Sequence, residues 1–344
     1  MKHASNSNAP LITVAIPTCN RPDLLARAIR SVQANSFQNW EMCISDDGSP
    51  KLGREFIAWF QDSRIRYHPH ERMVIEDNWT AACLMGTAPY IFKLDDDDTI
   101  EPEFLELTVA FLENNPDVSV VYTGFSLVIG DKTEPVVRGD FFTNRQSVDG
   151  LEYVRAILLN EGYPSNHKSA GVFRRTKAEA IEWFKYARMD VTFSMALAVG
   201  SRVGYLPKFL FNYHRRAPGT KLVGEGMKPE VYESVLRDFV GFFSWPFVAS
   251  NPDLRAIESI AKSRIQFTVP LMYLFFQRDS LKVILEKWRI TKRLVHVRRR
   301  WLLWILCAAV LLARLLPLSW LNRLYDWYAR TGWIKKALNV WLPR

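Results

Sequence analysis

The chain has 344 residues, 48% hydrophobic and 24% charged, with a formal charge of +9. That is a globular composition, long enough for one large domain plus an appendage. Its four cysteines, Cys19, Cys43, Cys83 and Cys307, form no CxxC pair and no zinc spacing, which excludes a Cys-ligated zinc site and points to reduced thiols in a cytosolic compartment.

Met1 to Pro10 is polar and lacks an apolar core, so no secretory leader is expected. Leu11 to Pro17 is a continuous, largely β-branched run that predicts a buried strand. Thr18 to Asp23 turns, and Pro22 suits a first helical turn. Leu24, Leu25, Ala28, Ile29 and Val32 then follow a helical period. Trp40 to Ser45 predicts a second strand, ended sharply by Asp46-Asp47-Gly48-Ser49-Pro50. Phe56, Ile57, Trp59 and Phe60 mark a second helix, Ile65 to His68 a third strand, Glu76 to Met85 a third helix and Pro89 to Leu94 a fourth strand. This alternation predicts a mainly parallel sheet covered by helices. Ligands of such sheets bind beyond the carboxyl ends of the strands. Thr18, Asp46-Asp47 and Asp95 to Asp98 all fall at such ends.

Four successive carboxylates, Asp95 to Asp98, are what a solvated loop carries. They are also what a hard divalent cation takes, Mg²⁺ or Mn²⁺, when it neutralises bound phosphates. Asp95 and Asp97, at i and i+2, can point to one side of an extended segment. No GxGxxG follows the first strand and no GxxxxGK[ST] occurs. A bound nucleotide would therefore be held by side chains and metal.

Val14 to Pro22 (VAIPTCNRP), Ile44 to Ser49 (ISDDGS) and Tyr90 to Asp98 (YIFKLDDDD), with Glu76 to Trp79 between them, together resemble the family 2 glycosyltransferases of GT-A fold. The resemblance covers about Leu11 to Arg216. It implies that Thr18 lines a nucleotide pocket, with Asn20 and Arg21 in the same loop. It implies that Asp47 hydrogen-bonds the base, with Asp46 a cap of that turn. Asp95 and Asp96 would lie near the ribose and Asp97 on the metal, Mn²⁺ or Mg²⁺. Asp98 fits either the acid that often follows or a cap of the next helix.

Further along, Val118 to Ile129 predicts a long strand, Gly130 to Lys132 a turn into a polar loop through Arg145, and Leu151 to Leu159 an amphipathic helix. Ser169 to Arg175 predicts a strand entering a helix, and the resemblance puts this region on the acceptor side. Met189, Phe193, Ala196 and Leu197 set one helical face inward, with Asp190 in the first turn. An acid there ordinarily serves the helix dipole. The resemblance instead makes Asp190 the general base, although Met189 stands where the family has Glu. Arg202 to Leu206 predicts a strand, and Lys208 to Arg216 follows. The resemblance makes Arg216 a candidate for the pyrophosphate and His214 a candidate second metal ligand. A plain basic loop would carry the same residues. Pro218 to Gly226 predicts a loop near the site.

Val231 to Phe247 and Leu254 to Phe276 predict helices. From Trp288 to Arg344, twelve Lys/Arg face one acid, Asp326; the segment carries +11 and the rest of the chain −2. Seven of the twelve tryptophans lie there, a composition of membrane interfaces. Trp301 to Ala313 is thirteen residues without a charge, shorter than the about 20 a spanning helix needs. A monotopic or re-entrant anchor, a single span and a soluble bundle all remain open.

The expected architecture is therefore α/β, a GT-A (Rossmann-like) mainly parallel sheet flanked by helices, with a C-terminal helical membrane-associating extension. The expected division is a tail at 1–10 and a catalytic domain at 11–220, its nucleotide-binding part 11–100 and acceptor side 101–220. A helical extension at 221–287 and the basic membrane-associating helices at 288–344 complete it. The expected activity is metal-dependent, inverting transfer from a nucleotide-diphosphate sugar, a UDP-sugar by family frequency, to a hydroxyl of a lipid-linked or surface glycan such as lipopolysaccharide. Transfer to a polyprenyl phosphate and a non-catalytic nucleotide-sugar or membrane-binding scaffold are the alternatives. The expected location is the cytoplasmic face of the plasma (inner) membrane, on anionic lipid, with no nucleic-acid partner and with homo-oligomerisation left open.

Overall fold

The computed structural model describes residues 9–50, 52–73, 75–136, 142, 145–158, 170–186, 190–215, 229–259, 261 and 281–294. The chain divides into two compact units, residues 1–154 with 162–215, and residues 155–161 with 216–344.

The first unit is built on one sheet. Its strands are β1 (Ile12–Thr18), β2 (Trp40–Asp47), β3 (Ile65–His70), β4 (Tyr90–Lys93), β5 (Thr99–Ile100), β6 (Val118–Ile129), β7 (Lys132–Pro135), β8 (Ser147–Asp149), β9 (Gly171–Arg174) and β10 (Arg202–Arg215). The helices are α1 (Pro22–Gln33), α2 (Arg54–Ala58), α3 (Ile75–Leu84), α4 (Phe104–Asn114), α5 (Gly150–Leu158), α6 (Arg175–Ala180), α7 (Trp183–Tyr186) and α8 (Asp190–Ala198). The strand order is β3-β2-β1-β4-β9-β6-β10-β5, with β7 on β6 and β8 on β10. β2 and β4 flank β1 in parallel, and β3 runs parallel to β2. β9 is antiparallel to both β4 and β6, so β6 and its parallel neighbour β10 run the same way as β1. The sheet is mixed and mostly parallel. The carboxyl ends of β1, β2, β4, β6 and β10 share one edge, and the order reverses at β1, the place where such sheets bind ligands.

Both faces of the sheet are covered, and so β1 and β2 are buried almost throughout. Ile12, Val14 and Ile16 meet Leu25, Ala28, Ile29 and Val32 of α1 in one core with Phe104, Leu105 and Val109 of α4. α3 packs on β1 and β2. Gly86 follows it so closely that a Cβ there would come 2.2 Å from Thr13 Cγ2. Each such large side chain contributes about 1.5–3 kcal/mol on burial.

The structure departs from the sequence expectations in particular places. β2 continues through Asp46 and Asp47, because Asp46 pairs with Thr18 and Asp47 with His70. α2 ends at Ala58, and Trp59 is 86% exposed. The two-residue β5, too short to show a period, pairs with Phe211 and Asn212. The polar loop after Gly130 contains β7, a hairpin partner of β6. α8 is buried on every side from Thr192 to Ala198. β10 is one strand, and its register shifts between Leu206 and Phe209, at Pro207, which has no N–H to donate.

The described part of the second unit includes α9 (Pro229–Gly241), α10 (Pro246–Ala249) and α11 (Leu281–Leu294). α9 and α11 pack together: the hydroxyls of Tyr232 and Thr291 lie 2.6 Å apart, and Arg293 pairs with Glu233 at 2.7 Å. The Lys287 ammonium is buried 5.6 Å from the Tyr232 ring centre. Among the described residues no helix is long and apolar enough to cross a membrane. The expected membrane segments at 295–344 lie outside the described residues.

Candidate active site

The site lies at the carboxyl edge around β1 and β4. The three loops that follow β1, β2 and β4 are knitted together. Asn20, in the left-handed region at φ 55°, donates its N–H to Ser49 Oγ at 2.5 Å; asparagine tolerates that conformation better than most residues. Cys19 Sγ donates to the Asp47 carbonyl at 3.3 Å. Asp46 is fully buried and accepts from Ser49 and from the Tyr67 hydroxyl. Burial and that carboxylate push the Tyr67 phenol up. Asp46 is thus a structural cap. Asp47 is 8% exposed, and its Oδ1 accepts the Met73 N–H at 2.5 Å.

The four carboxylates after β4 differ. The side chains of Asp95 and Asp97 are 33% and 41% exposed, while residues Asp96 and Asp98 are 5% and 1% exposed. The segment is not extended as expected: it turns, with the Asp98 N–H donating to the Asp95 carbonyl at 3.1 Å, and the turn sets this alternation. Asp96 accepts from the Thr18 hydroxyl at 2.7 Å and from Arg21 at 3.1 Å. Burial pushes its carboxyl up, against the pull of those two partners. Arg21 also pairs with Asp97 Oδ2 at 3.2 Å. Burial works against the Arg21 charge, yet Asp96 and Asp97 outweigh it and raise its pKa. Arg27 donates to the Asp97 carbonyl at 2.5 Å. Burial, aided by Asp95, pushes Asp98 to about 8, and its carboxylate accepts the His214 N–H at 2.9 Å. His214 Nε2 lies 2.9 Å from Thr99 Oγ1. Burial and then Arg27 lower its pKa to about 4, so its ring is neutral at pH 7.

Asp190 opens α8 with its side chain 48% exposed. It borders a small cleft that is also lined by Trp79, Lys93, Tyr122, Phe173 and Phe193. Lys93, the last residue of β4, joins the two halves of the site. Its Nζ lies 2.8 Å from Asp95 Oδ1 and 3.4 Å from Asp190 Oδ1. The sequence reading held Lys93 and Trp79 within its motifs but gave neither of them, nor Arg27, a role. The available signal was a cation ending an otherwise apolar strand, two residues before Asp95 and hence on its side. Arg216 and Met189 lie outside the described residues.

Hard carboxylate oxygens suit Mg²⁺ or Mn²⁺, and Asp97 is exposed enough to offer one. Such ions are commonly held by one or two carboxylates plus substrate phosphates. Among the described residues no three His, Cys, Asp or Glu side chains are grouped to hold a metal by themselves. Asp97 would supply one oxygen to such a cation, and the remaining ligands would come from a bound diphosphate.

Residues 13–181 match the model described as Glycosyl transferase family 2. A curated relative, the uncharacterized protein y4gI of Sinorhizobium fredii, is 29% identical over 238 residues, 66% of this chain and 25% of that protein. The chain spans a quarter to under half the length of the first curated relatives it matches. Among solved structures, TarS 1–349 of S. aureus in complex with UDP-GlcNAc has a TM-score of 0.62 at 14% identity, over 92% of this chain and 91% of that one. A Pyrobaculum calidifontis mannosyltransferase in complex with GDP-Man and Mn²⁺ has a TM-score of 0.51 at 15% identity, over 97% and 88%. At these identities the two structures speak to the fold alone.

Proposed function

Residues 13–181 form a glycosyl transferase family 2 domain on a GT-A-like sheet, and from that premise we propose that the chain transfers a sugar from a nucleotide diphosphate to an acceptor hydroxyl with inversion. The observation that carries this reading is the meeting of Asp95 and Asp190 on one ammonium, at the sheet edge that also holds Thr18, Asp47 and Asp97. Catalytic and nucleotide groups then share one edge of the sheet, within the proposed catalytic domain 11–220.

In this mechanism Thr18, Asn20, Arg21, Asp47, Asp95 and Asp96 form the nucleotide side, with Arg216 as a further contact. Arg21, already set between Asp96 and Asp97, turns its guanidinium to the diphosphate. The acceptor hydroxyl lies in the cleft against Asp190. Its oxygen forms the bond to the anomeric carbon while its proton passes to the Asp190 carboxylate. The bond from that carbon to the diphosphate oxygen breaks, and the nucleotide diphosphate leaves with its electron pair. A single displacement inverts the anomeric centre. Mn²⁺ or Mg²⁺ held by Asp97 would supply neutralisation of the leaving diphosphate. UDP-sugars lead as donors, and a lipid-linked or surface glycan is the acceptor class. The basic, Trp-rich segment 288–344 would hold the enzyme on anionic lipid at the cytoplasmic face; within its described part, Arg289 and Arg293 are exposed.

The test is a nucleotide-sugar hydrolysis screen with Mn²⁺, on wild type and Asp97→Ala. Metal-dependent release of one nucleotide diphosphate, lost in the variant, is the expected result. Absence of calorimetric binding of any nucleotide diphosphate with Mn²⁺ would overturn the reading. Sedimentation with phosphatidylserine vesicles, weakened by salt, checks the membrane proposal.

A further inference from the structure

The Lys93 side chain is only 11% exposed. A buried ammonium is costly unless it is paired. Here it has two carboxylate partners on different elements, Asp95 after β4 and Asp190 at the start of α8. Burial works against its charge, but Asp190 and Asp95 outweigh that and raise its pKa. The ammonium also stands 5.3 Å from the centre of the Trp79 ring, within cation–π range. Trp79 is fixed in turn, its ring centre 5.6 Å from Trp183 and 5.1 Å from Phe193. Lys93 is therefore a pre-set cation, held by an aromatic cluster and aimed at the cleft.

Asp190 is the first residue of its helix and half exposed. A carboxylate in that place is free to turn towards solvent unless something directs it. Lys93 directs it, and the same cation touches the donor side. We propose that Lys93 is a positioning residue that aims the Asp190 carboxylate into the cleft and ties its placement to that of Asp95. A donor that engages Asp95 leaves the ammonium to Asp190 alone, so occupancy of the donor side tightens the base. This inference rests on Asp190 acting as base, as proposed above.

The test compares Lys93→Met, Lys93→Arg, Asp190→Asn and the Lys93→Met/Asp190→Asn double variant. The reaction is Mn²⁺-dependent hydrolysis of UDP-GlcNAc and GDP-mannose, with water in place of the acceptor hydroxyl. Calorimetric binding of UDP and GDP with Mn²⁺ reports the folded donor side. Lys93→Met is expected to bind the nucleotide within about 3-fold of wild type and to lose on the order of 10- to 100-fold in kcat, a smaller loss than for removal of a general base. Lys93→Arg recovers part of that loss. In the Asp190→Asn background Lys93→Met costs nothing further, because residues acting as one unit are non-additive. A wild-type kcat in Lys93→Met overturns the proposal. So do multiplying effects in the double variant, or a loss of nucleotide binding as large as the loss of kcat. A wild-type kcat in Asp190→Asn sinks the base reading itself; low turnover there with full turnover in Lys93→Met sinks only the link between the two.

Discussion

The Thr18 hydroxyl donates a 2.7 Å hydrogen bond to Oδ2 of Asp96, across 78 positions of sequence. Thr18 ends β1 and Asp96 sits in the carboxylate run after β4, and both are almost fully buried. The bond fastens the run to the strand at which the order reverses. Thr18→Val keeps the shape and leaves a buried acceptor with Arg21 alone. Urea unfolding is expected to show a loss of about 1–3 kcal/mol, with weaker UDP binding. Unchanged stability would mean that water or Arg21 replaces the hydroxyl.

Asp190→Asn separates two acceptor classes. With a hydroxyl acceptor, turnover is expected to fall by about 10²–10⁴-fold, the usual scale of general-base catalysis. Binding of UDP with Mn²⁺ stays unchanged. A polyprenyl phosphate brings an oxygen that is already charged and needs no base. A loss of less than about 10-fold, on that same scale, would identify a phosphate acceptor.

Gly171 of β9 lies against Tyr122, and a Cβ there would come 2.5 Å from the ring carbon Cε1. Tyr122 cannot easily yield: it stacks on Tyr153 with ring centres 6.1 Å apart and bonds Ser194, which also bonds Tyr153. Gly171→Ala is expected to destabilise by about 1–3 kcal/mol through overpacking. It also pushes the Tyr122 ring into the cleft beside Asp190, so donor hydrolysis should fall more than nucleotide binding. The two measurements together check the shape of the cleft.

Away from the site, Glu41 Oε1 accepts from Thr13 at 2.7 Å and from the N–H groups of Thr87 and Ala88 at 2.6 and 3.0 Å. Arg66 pairs with its other oxygen. Burial alone would raise the Glu41 pKa, but these donors and Arg66 lower it below the ordinary 4.5. A lowered carboxylate pKa gives stability that is complete above the unfolded value and lost as pH falls through the folded one. Glu41→Gln is therefore expected to reduce stability at pH 7 and to flatten its fall below about pH 4.5. Urea unfolding at pH 7 and pH 3.5 measures both, and nucleotide binding at pH 7 should not change.

The expected strands and helices from Leu11 to Ile129 stand close to where the sequence puts them. Val118–Ile129 is a strand to the residue, since its Val, Tyr, Thr, Phe and Ile side chains suit a pleated, buried surface. Where local pattern carries little information the reading stopped short. β5 has two residues, β7 is entirely exposed, and the strand at Asp46-Asp47 continues only because partners on both sides pair with it.

The sequence by itself determined the mainly parallel sheet, the carboxyl-edge position of Thr18, Asp47 and Asp95 to Asp98, and the resemblance to family 2 glycosyltransferases. Those follow from periods of two and 3.6 residues and from short motifs, which are local properties of the chain. Only the tertiary structure decided how the four carboxylates divide into two buried and two half-buried. It alone set Arg21 between Asp96 and Asp97, and it alone brought Asp190 to Lys93 across 97 positions. Burial and ion pairing depend on which elements pack together, and β9 lying antiparallel between β4 and β6 is a pairing between distant segments. No window of sequence records it.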